Sequence, residues 1–305
     1  MEALNPLAPT NAPTNSGFSL TGSSVTSQIA LGVVIVVLIY SILSCCEYMY
    51  LSYTRMYKDR VELFPDTYPS GSRMYTAIQN PANALAKTIY FSDNQRSGIE
   101  FTYSMFIFLN STTYANGYEK LYHILHKGYS KMYPLMGPGV FTWGHKNAIR
   151  IYMNCYDTWN NYSEVENIPV DKWFHLVISC KGNTLYIYIN GNLKSKINLS
   201  GNTPPYQNYG DVYAFSPRKL TLNTSNTASL LKDPEFSGTQ PLRTQLNFDG
   251  TATGMISRVY YFGYALTYTE IQSMMNVGPS SNIKGTDMSI TPYLSDTWWT
   301  NKQGP

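Results

Sequence analysis

No charged side chain occurs between Glu2 and Glu47, and the end of that interval, Ile29 to Cys46, reads IALGVVIVVLIYSILSCC. As a helix rising ~1.5 Å per residue this run is about 27 Å long, close to the ~30 Å hydrocarbon core of a bilayer. Its eleven Leu, Ile and Val residues each favour insertion by about 0.3–0.6 kcal/mol, and nothing in it carries the ~3 kcal/mol penalty of a charge. A cleaved signal peptide or a lipoprotein leader calls for a basic stretch ahead of the apolar core, and MEALNPLAPTNAPTNSG has no Lys or Arg. A buried core helix is the remaining alternative, but a charge-free run of this length near a terminus suits one poorly. The expectation is a transmembrane α-helix over residues 28–47 in contact with lipid. Tyr48, Tyr50, Tyr53 and Tyr57 follow it, as where a helix leaves the bilayer. Arg55, Lys58 and Arg60 lie just beyond, against no cation before the helix. The positive-inside rule then places the N-terminus on the lumenal side and the C-terminal part on the cytosolic side. Cys45 and Cys46 sit at that cytosolic boundary, where acylation is one fate and a quiet thiol the other.

The remainder reads as β structure. Aromatic residues make up 14% of the chain, including 27 Tyr, while charged residues make up only 13%; this favours strands over disorder. GIEFTYSMFIFLN alternates, with Ile99, Phe101, Tyr103, Met105, Ile107 and Leu109 on one face and Glu100, Thr102 and Ser104 on the other. Further short strand-like runs follow, separated by turn clusters such as GPG, KGN and SGN, without amphipathic helices between them. That pattern predicts a mainly β fold, an antiparallel two-sheet sandwich or a barrel. The organisation expected is a polar arm over 1–27, the helix over 28–47, a connecting arm over 48–85, a sandwich over 86–276 and an extended tail over 277–305. In the tail, Trp298 and Trp299 form an apolar pair suited to docking.

WFHLVISCKGNTLYIYINGNL, from Trp173 to Leu193, is the most legible strand pair. Phe174, Leu176, Ile178 and Cys180 share one face, and Leu185, Ile187 and Ile189 continue it after KGN. Tyr186 and Tyr188 take the other face. Asn190-Gly191 marks a tight turn, because both residues tolerate positive φ.

Several chemistries find no support. The net charge is +3 with no run of Lys or Arg, so nucleic acid is not an expected partner. The cysteines, Cys45, Cys46, Cys155 and Cys180, make no CxxC zinc pattern and no disulfide framework; on the cytosolic side Cys155 and Cys180 would stay reduced. Four Asn-x-Ser/Thr sequons, at Asn110, Asn161, Asn198 and Asn223, are what an Asn-, Ser- and Thr-rich chain produces by composition. His123 and His126 are three apart on a strand, which predicts opposite faces and no shared metal; His145 and His175 stand alone. No nucleophile elbow, P-loop or dinucleotide fingerprint is present.

The Trp173–Leu193 hairpin resembles the hallmark hairpin of concanavalin A-like, laminin-G-like jelly-roll domains, with Trp173 opening one strand and Tyr188, Asn190 and Gly191 closing the next. GMISRVYYFGYALTYTEIQSM, residues 254–274, is similar to that family's last core strand and following short helix, through Gly254, Ala265, Leu266 and Glu270. The two motifs occur in the family's order and bracket a domain over about 86–276. The wording of NQRSGIEFTYSMFIF, HILHKG, NIPVDKWFHLVI and YQNYGDVY is most similar to laminin-G-like proteins of large nucleocytoplasmic DNA viruses.

The resemblance implies a two-sheet antiparallel jelly-roll sandwich and the binding of glycan or protein. In a virus it implies a non-enzymatic minor capsid protein, held in the internal virion membrane with its sandwich against other capsid proteins. The alternative is a membrane-anchored lectin for host attachment. Some relatives of the fold are glycosidases, which need two carboxylates about 5–10 Å apart, usually supplied from alternating strand positions as in Glu-x-Asp-x-x-Glu; Glu164 and Glu166 in SEVENIP lack the intervening Asp and read instead as a solvated loop, so no enzyme is expected. Some laminin-G-like domains hold calcium in rim loops, for which Asp93 with Asn94, or Asp157 with Asn160, would be the oxygen donors. No other cofactor is implied. The loop best suited to a sugar is CYDTWNNYSE, where Trp159 would be the platform beside Asn160, Asn161 and Tyr162, although packing of Trp159 into an edge of the core is an equal reading.

Overall fold

The computed structural model describes residues 25–92, 99–115, 117–156, 159, 161–199, 204–223 and 245–285. The chain divides into two compact units, residues 1–55 and 56–305. The first is built on helix α1 (Val25–Lys58), 34 residues long. It outruns the span expected from sequence because Glu47–Lys58 contains neither Gly nor Pro to stop it. At ~1.5 Å per residue α1 is about 51 Å long. Its apolar stretch is uncovered among the described residues, and by length and composition α1 is long and apolar enough to cross a membrane.

The second unit is a sandwich of two sheets. In chain order its strands are β1 (Arg60–Pro69), β2 (Tyr75–Ala77), β3 (Glu100–Leu109), β4 (Leu121–Gly128), β5 (Gly139–Trp143), β6 (Ala148–Met153) and β7 (Asn161–Glu166). Then come β8 (Trp173–Lys181), β9 (Thr184–Ile189), β10 (Asn192–Asn198), β11 (Asp211–Ala214), β12 (Lys219–Asn223), β13 (Gln245–Thr251) and β14 (Gly254–Phe262), followed by helix α2 (Tyr268–Val277). One sheet has the order β1-β14-β3-β8-β9-β10. The other runs β12-β13-β4-β5-β6-β7, with β11 joined to β4 and β2 to β11. Pairing is antiparallel except between β13 and β4.

Two stretches of the expected connecting arm turn out to be sheet. β2 joins β11, and β1 forms the edge of the first sheet on β14. Pro65 and the turn residues around it argued against a strand. β1 tolerates them because it lies at an edge and carries bulges on either side of Phe64. Past α2, the chain returns along the outer side of β1: Thr67 donates its backbone N–H to the Asn282 carbonyl and accepts one from Lys284, each at 2.8 Å.

The main core lies between the sheets, filled by the alternating faces of β3 and β8 among others, including Phe101, Met105, Ile107, Phe174, Leu176 and Ile178. The opposite face of β3 is also buried, which alternation alone did not predict. α2 and the chain leading to it cover that face, packing Leu266, Ile271 and Met274 against Val177, Tyr260 and Phe262, with Met56 beside them. Thr102 Oγ1 donates to the Tyr264 carbonyl at 2.9 Å and accepts the Leu266 N–H at 3.1 Å, so the polar side of β3 anchors this cover. Thr267 caps α2 reciprocally with Glu270, as a capping box.

The Trp173–Leu193 hairpin forms as its pattern predicts. β8 pairs with β9, and Asn190 and Gly191 turn into β10 with φ of 49° and 73°. Asn190 Oδ1 accepts the His175 N–H at 2.8 Å, which ties the turn back to β8.

Candidate functional site

β11 is a short strand paired on both sides. Val212 lies opposite Ala77 of β2, and Asp211 opposite Gly128 of β4. This brings together three segments distant in sequence, 79–91, 127–130 and 208–213, around a cleft of about 670 Å3. Glycine permits the close approach: a Cβ on Gly210 would lie 2.3 Å from the Gly128 carbonyl oxygen.

The rim of the cleft is aromatic. Tyr90 and Tyr209 are 75% and 80% exposed among the described residues, and Phe91 packs against Tyr209 with centroids 4.5 Å apart. Tyr129 stands exposed on another wall. The floor is polar and held in place. Asn208 donates to the carbonyls of Lys127 and Gly137 and accepts the Gly210 N–H. Asp211 Oδ1 accepts the Gln79 N–H at 2.8 Å. Lys127 is 4% exposed, and its ammonium donates to the Gly210 carbonyl at 2.6 Å. Burial pushes the Lys127 amine down to about 8, against a smaller opposing effect of Asp211.

Behind this wall runs a chain of two histidines. Sequence spacing placed His123 and His126 on opposite faces; the structure overturns that. A bulge between His123 and Leu125 inserts an extra residue, so Ile124 and Leu125 both enter the core and both imidazoles share the other face. His123 Nε2 and His126 Nδ1 are 2.6 Å apart. The flanking partners fix the protons: Ser216 N–H donates to His123 Nδ1 at 2.8 Å, and the Tyr129 carbonyl faces His126 Nε2 at 2.9 Å. Both rings are therefore neutral, His123 donating to His126 and His126 to Tyr129. Burial depresses both, His126 to about 4. His126 also stacks on Tyr213 of the cleft, centroids 5.0 Å apart. Among the described residues, no group of three metal-ligating side chains forms.

The loop expected to hold a sugar is arranged otherwise. Trp159 is 2% exposed, edge-on to Tyr133 and parallel to Tyr152 at 6.3 Å. A ring buried on both sides offers no platform, which corrects that assignment. Asn161 is buried in β7, and Tyr162 lies beneath the Arg150 guanidinium, 4.1 Å from its centroid. Asn160, the calcium candidates Asp93, Asn94 and Asp157, and the tail residues Trp298 and Trp299 lie outside the described residues.

Glu164 and Glu166 are not in a solvated loop but on β7. Glu164 accepts from Lys146, from Trp143 Nε1 at 2.8 Å and from Arg150 Nε at 3.0 Å. Burial alone would raise its carboxyl, but these donors outweigh that and hold it below the ordinary range. A carboxylate so occupied is ill-suited to deliver a proton. Cys155 and Cys180 form no disulfide and are buried in the main core, and burial pushes Cys180 up to about 12. Cys45 and Cys46 are exposed on α1. The family-motif residues serve the fold. Trp173 packs on Phe108, Gly254 lies against the Phe108 carbonyl, and Ala265 N–H donates to Glu100. Tyr188 packs beside the cover over β3.

Sequence reasoning missed the cleft. Its signals were the exposed-looking aromatics of TIYF and YQNYGDVY and the glycine after HILHK. Nothing local showed that these three segments meet.

Residues 84–215 match the family model described as the concanavalin A-like lectin/glucanases superfamily. Over that stretch, less than half of the chain, the sequence is similar to concanavalin A-like, laminin-G-type domains. Similar solved structures include the receptor binding domain of botulinum neurotoxin D (TM-score 0.41, 12% identity, covering 69% of this chain and 43% of that one). Another is the binding domain of botulinum neurotoxin DC in complex with rat synaptotagmin II (TM-score 0.36, 14% identity, 59% and 36%). This chain spans less than half the length of either structure. No curated protein matches the sequence.

Proposed function

We propose that this protein is a single-pass membrane protein whose sandwich is a non-enzymatic binding module that takes a glycan in the β2–β11–β4 cleft. The observation that supports it best is the cleft's make-up: exposed Tyr90, Phe91, Tyr129 and Tyr209 around a polar floor. Sugars offer apolar C–H faces to aromatic rings and hydroxyls to fixed amides and carbonyls, and about 670 Å3 accommodates a short oligosaccharide. Glycan-array binding by the full chain in detergent should fall at least tenfold in Tyr209→Ala and Tyr90→Ala, because stacking on exposed rings is lost without disturbing the core. Trp159→Phe should leave it unchanged. Binding that survives both tyrosine substitutions would refute the assignment.

A second reading is favoured by the cations that follow the apolar helix, Arg55, Lys58 and Arg60. On this reading the protein is a minor capsid protein of a large DNA virus. α1 sits in the internal virion membrane, the N-terminus is lumenal, and the sandwich lies on the cytosolic, capsid-facing side against other capsid proteins. Host attachment by a lectin needs the opposite orientation. In microsomes, digestion of the C-terminal domain by added protease is expected for the capsid role; protection of that domain would leave the attachment role alone.

A further inference from the structure

We infer that the sugar bound in this cleft is acidic, and that its anionic group is received by Lys127. The inference rests on the glycan reading and adds the ligand's charge class. Lys127 comes from β4, and the residue before it, His126, faces away from the core. The Lys127 side chain therefore enters the end of the sandwich between the sheets, where it helps to wall the cleft. Although it is 4% exposed, its one hydrogen-bond acceptor among the described residues is the Gly210 carbonyl. An ammonium carries three donors, and no described carboxylate forms an ion pair with it.

The nearest opposing charge on the cleft wall, Asp211, is engaged elsewhere: Oδ1 takes the Gln79 N–H, and the carboxylate also interacts with Tyr213. Buried cations in folded proteins are ordinarily paired, and an unpaired one is costly. A neutral residue would have spared the fold this burden, since Lys127 makes no contact in the sandwich that an amide could not make. An anionic oxygen entering the cleft would supply the missing acceptor, in a site partly shielded from water where a charge-assisted bond is strong. The ring faces of Tyr129 and Tyr209 would then hold the sugar while Lys127 reads its charge.

The test uses the full chain in detergent and matched pairs of probes, trigalacturonate against galactotriose and 3′-sialyllactose against lactose, with binding followed by saturation-transfer NMR and calorimetry. The acidic member of at least one pair should bind about tenfold or more tightly than its neutral partner. That preference should vanish in Lys127→Gln and Lys127→Met. Lys127→Gln keeps a donor for the Gly210 carbonyl, and Lys127→Met keeps the apolar stem, so at least one of the two is expected to retain the fold, checked by thermal unfolding. Loading with the acidic probe should also raise the Lys127 titration midpoint followed by side-chain NMR, a change that a purely structural lysine would not show. Equal binding of acidic and neutral members, or acidic binding that persists in a folded Lys127 variant, overturns the role of Lys127 and leaves the glycan reading standing. Failure of every probe to bind refutes both.

Discussion

Acidification from pH 7 to pH 4 should unfold the sandwich without denaturant. His126 and His175 are each held at about 4 by burial, and His123 is depressed in the same direction. The unfolded chain protonates these rings near 6.5, whereas the folded chain resists. The neutral chain Ser216→His123→His126→Tyr129 has no acceptor to spare for another proton. His175 Nε2 meets Ser104 Oγ at 2.8 Å, and its Nδ1 is buried without a partner among the described residues. The unfolded state therefore binds more protons, and stability present above pH 6.5 is lost progressively as pH falls toward 4. At ~1.4 kcal/mol per pKa unit, each of the two rings removes about 3 kcal/mol by pH 4. Together that is comparable with the roughly 5–15 kcal/mol that holds a typical domain folded. Circular dichroism melts in detergent at a series of pH values should show the midpoint falling steeply below pH 6. A midpoint that stays level down to pH 4.5 would contradict the assigned neutral chain.

Gly254→Ala should be strongly damaging for so small a substitution. An added Cβ would lie 2.0 Å from the Phe108 carbonyl oxygen, on the neighbouring strand β3. Neither atom belongs to a flexible side chain, and relief would require parting β14 from β3 where Gly254 faces Leu109. The Gly254 N–H also donates to Ser70 Oγ and its carbonyl accepts the Ser70 N–H, so any shift is felt at the end of β1 as well. We expect a loss of about 3 kcal/mol or more, in the range of strained core insertions. The control is Gly263→Ala, where a Cβ would meet nothing within 4 Å and the change should stay within about 0.5 kcal/mol. Denaturant titration of the two variants side by side measures the difference.

What was legible in the sequence was what is local. The alternation of the Trp173–Leu193 hairpin and the positive-φ demand at Asn190-Gly191 each act within a few residues. Each survives intact in the structure. The apolar helix was legible for the same reason, although its end was not, since nothing between Glu47 and Lys58 marks a stop. Three features were hidden because they depend on partners far along the chain. β1 looked like an arm because Pro65 is acceptable only at a sheet edge, and edges are decided by topology. The histidines changed faces because of one inserted residue in β4. The cleft needed β11 to lie between β2 and β4, so its rings come from segments more than a hundred residues apart, such as Tyr90 and Tyr209. Trp159 misled because an aromatic beside amides looks the same in sequence whether it faces solvent or core.

The return of residues 280–284 along β1 bears on how the protein behaves at high concentration. A bare outer strand invites a second molecule to add on by backbone pairing, the usual first step toward fibrillar association. Here that position on β1 is already taken by the chain's own Asn282 and Lys284. At the far side of the same sheet, β10 places the exposed Lys194 and Lys196 on its outermost strand, where a second copy would bring like charges together. One flank is occupied and the other is charged, so many copies can crowd together without their sheets fusing.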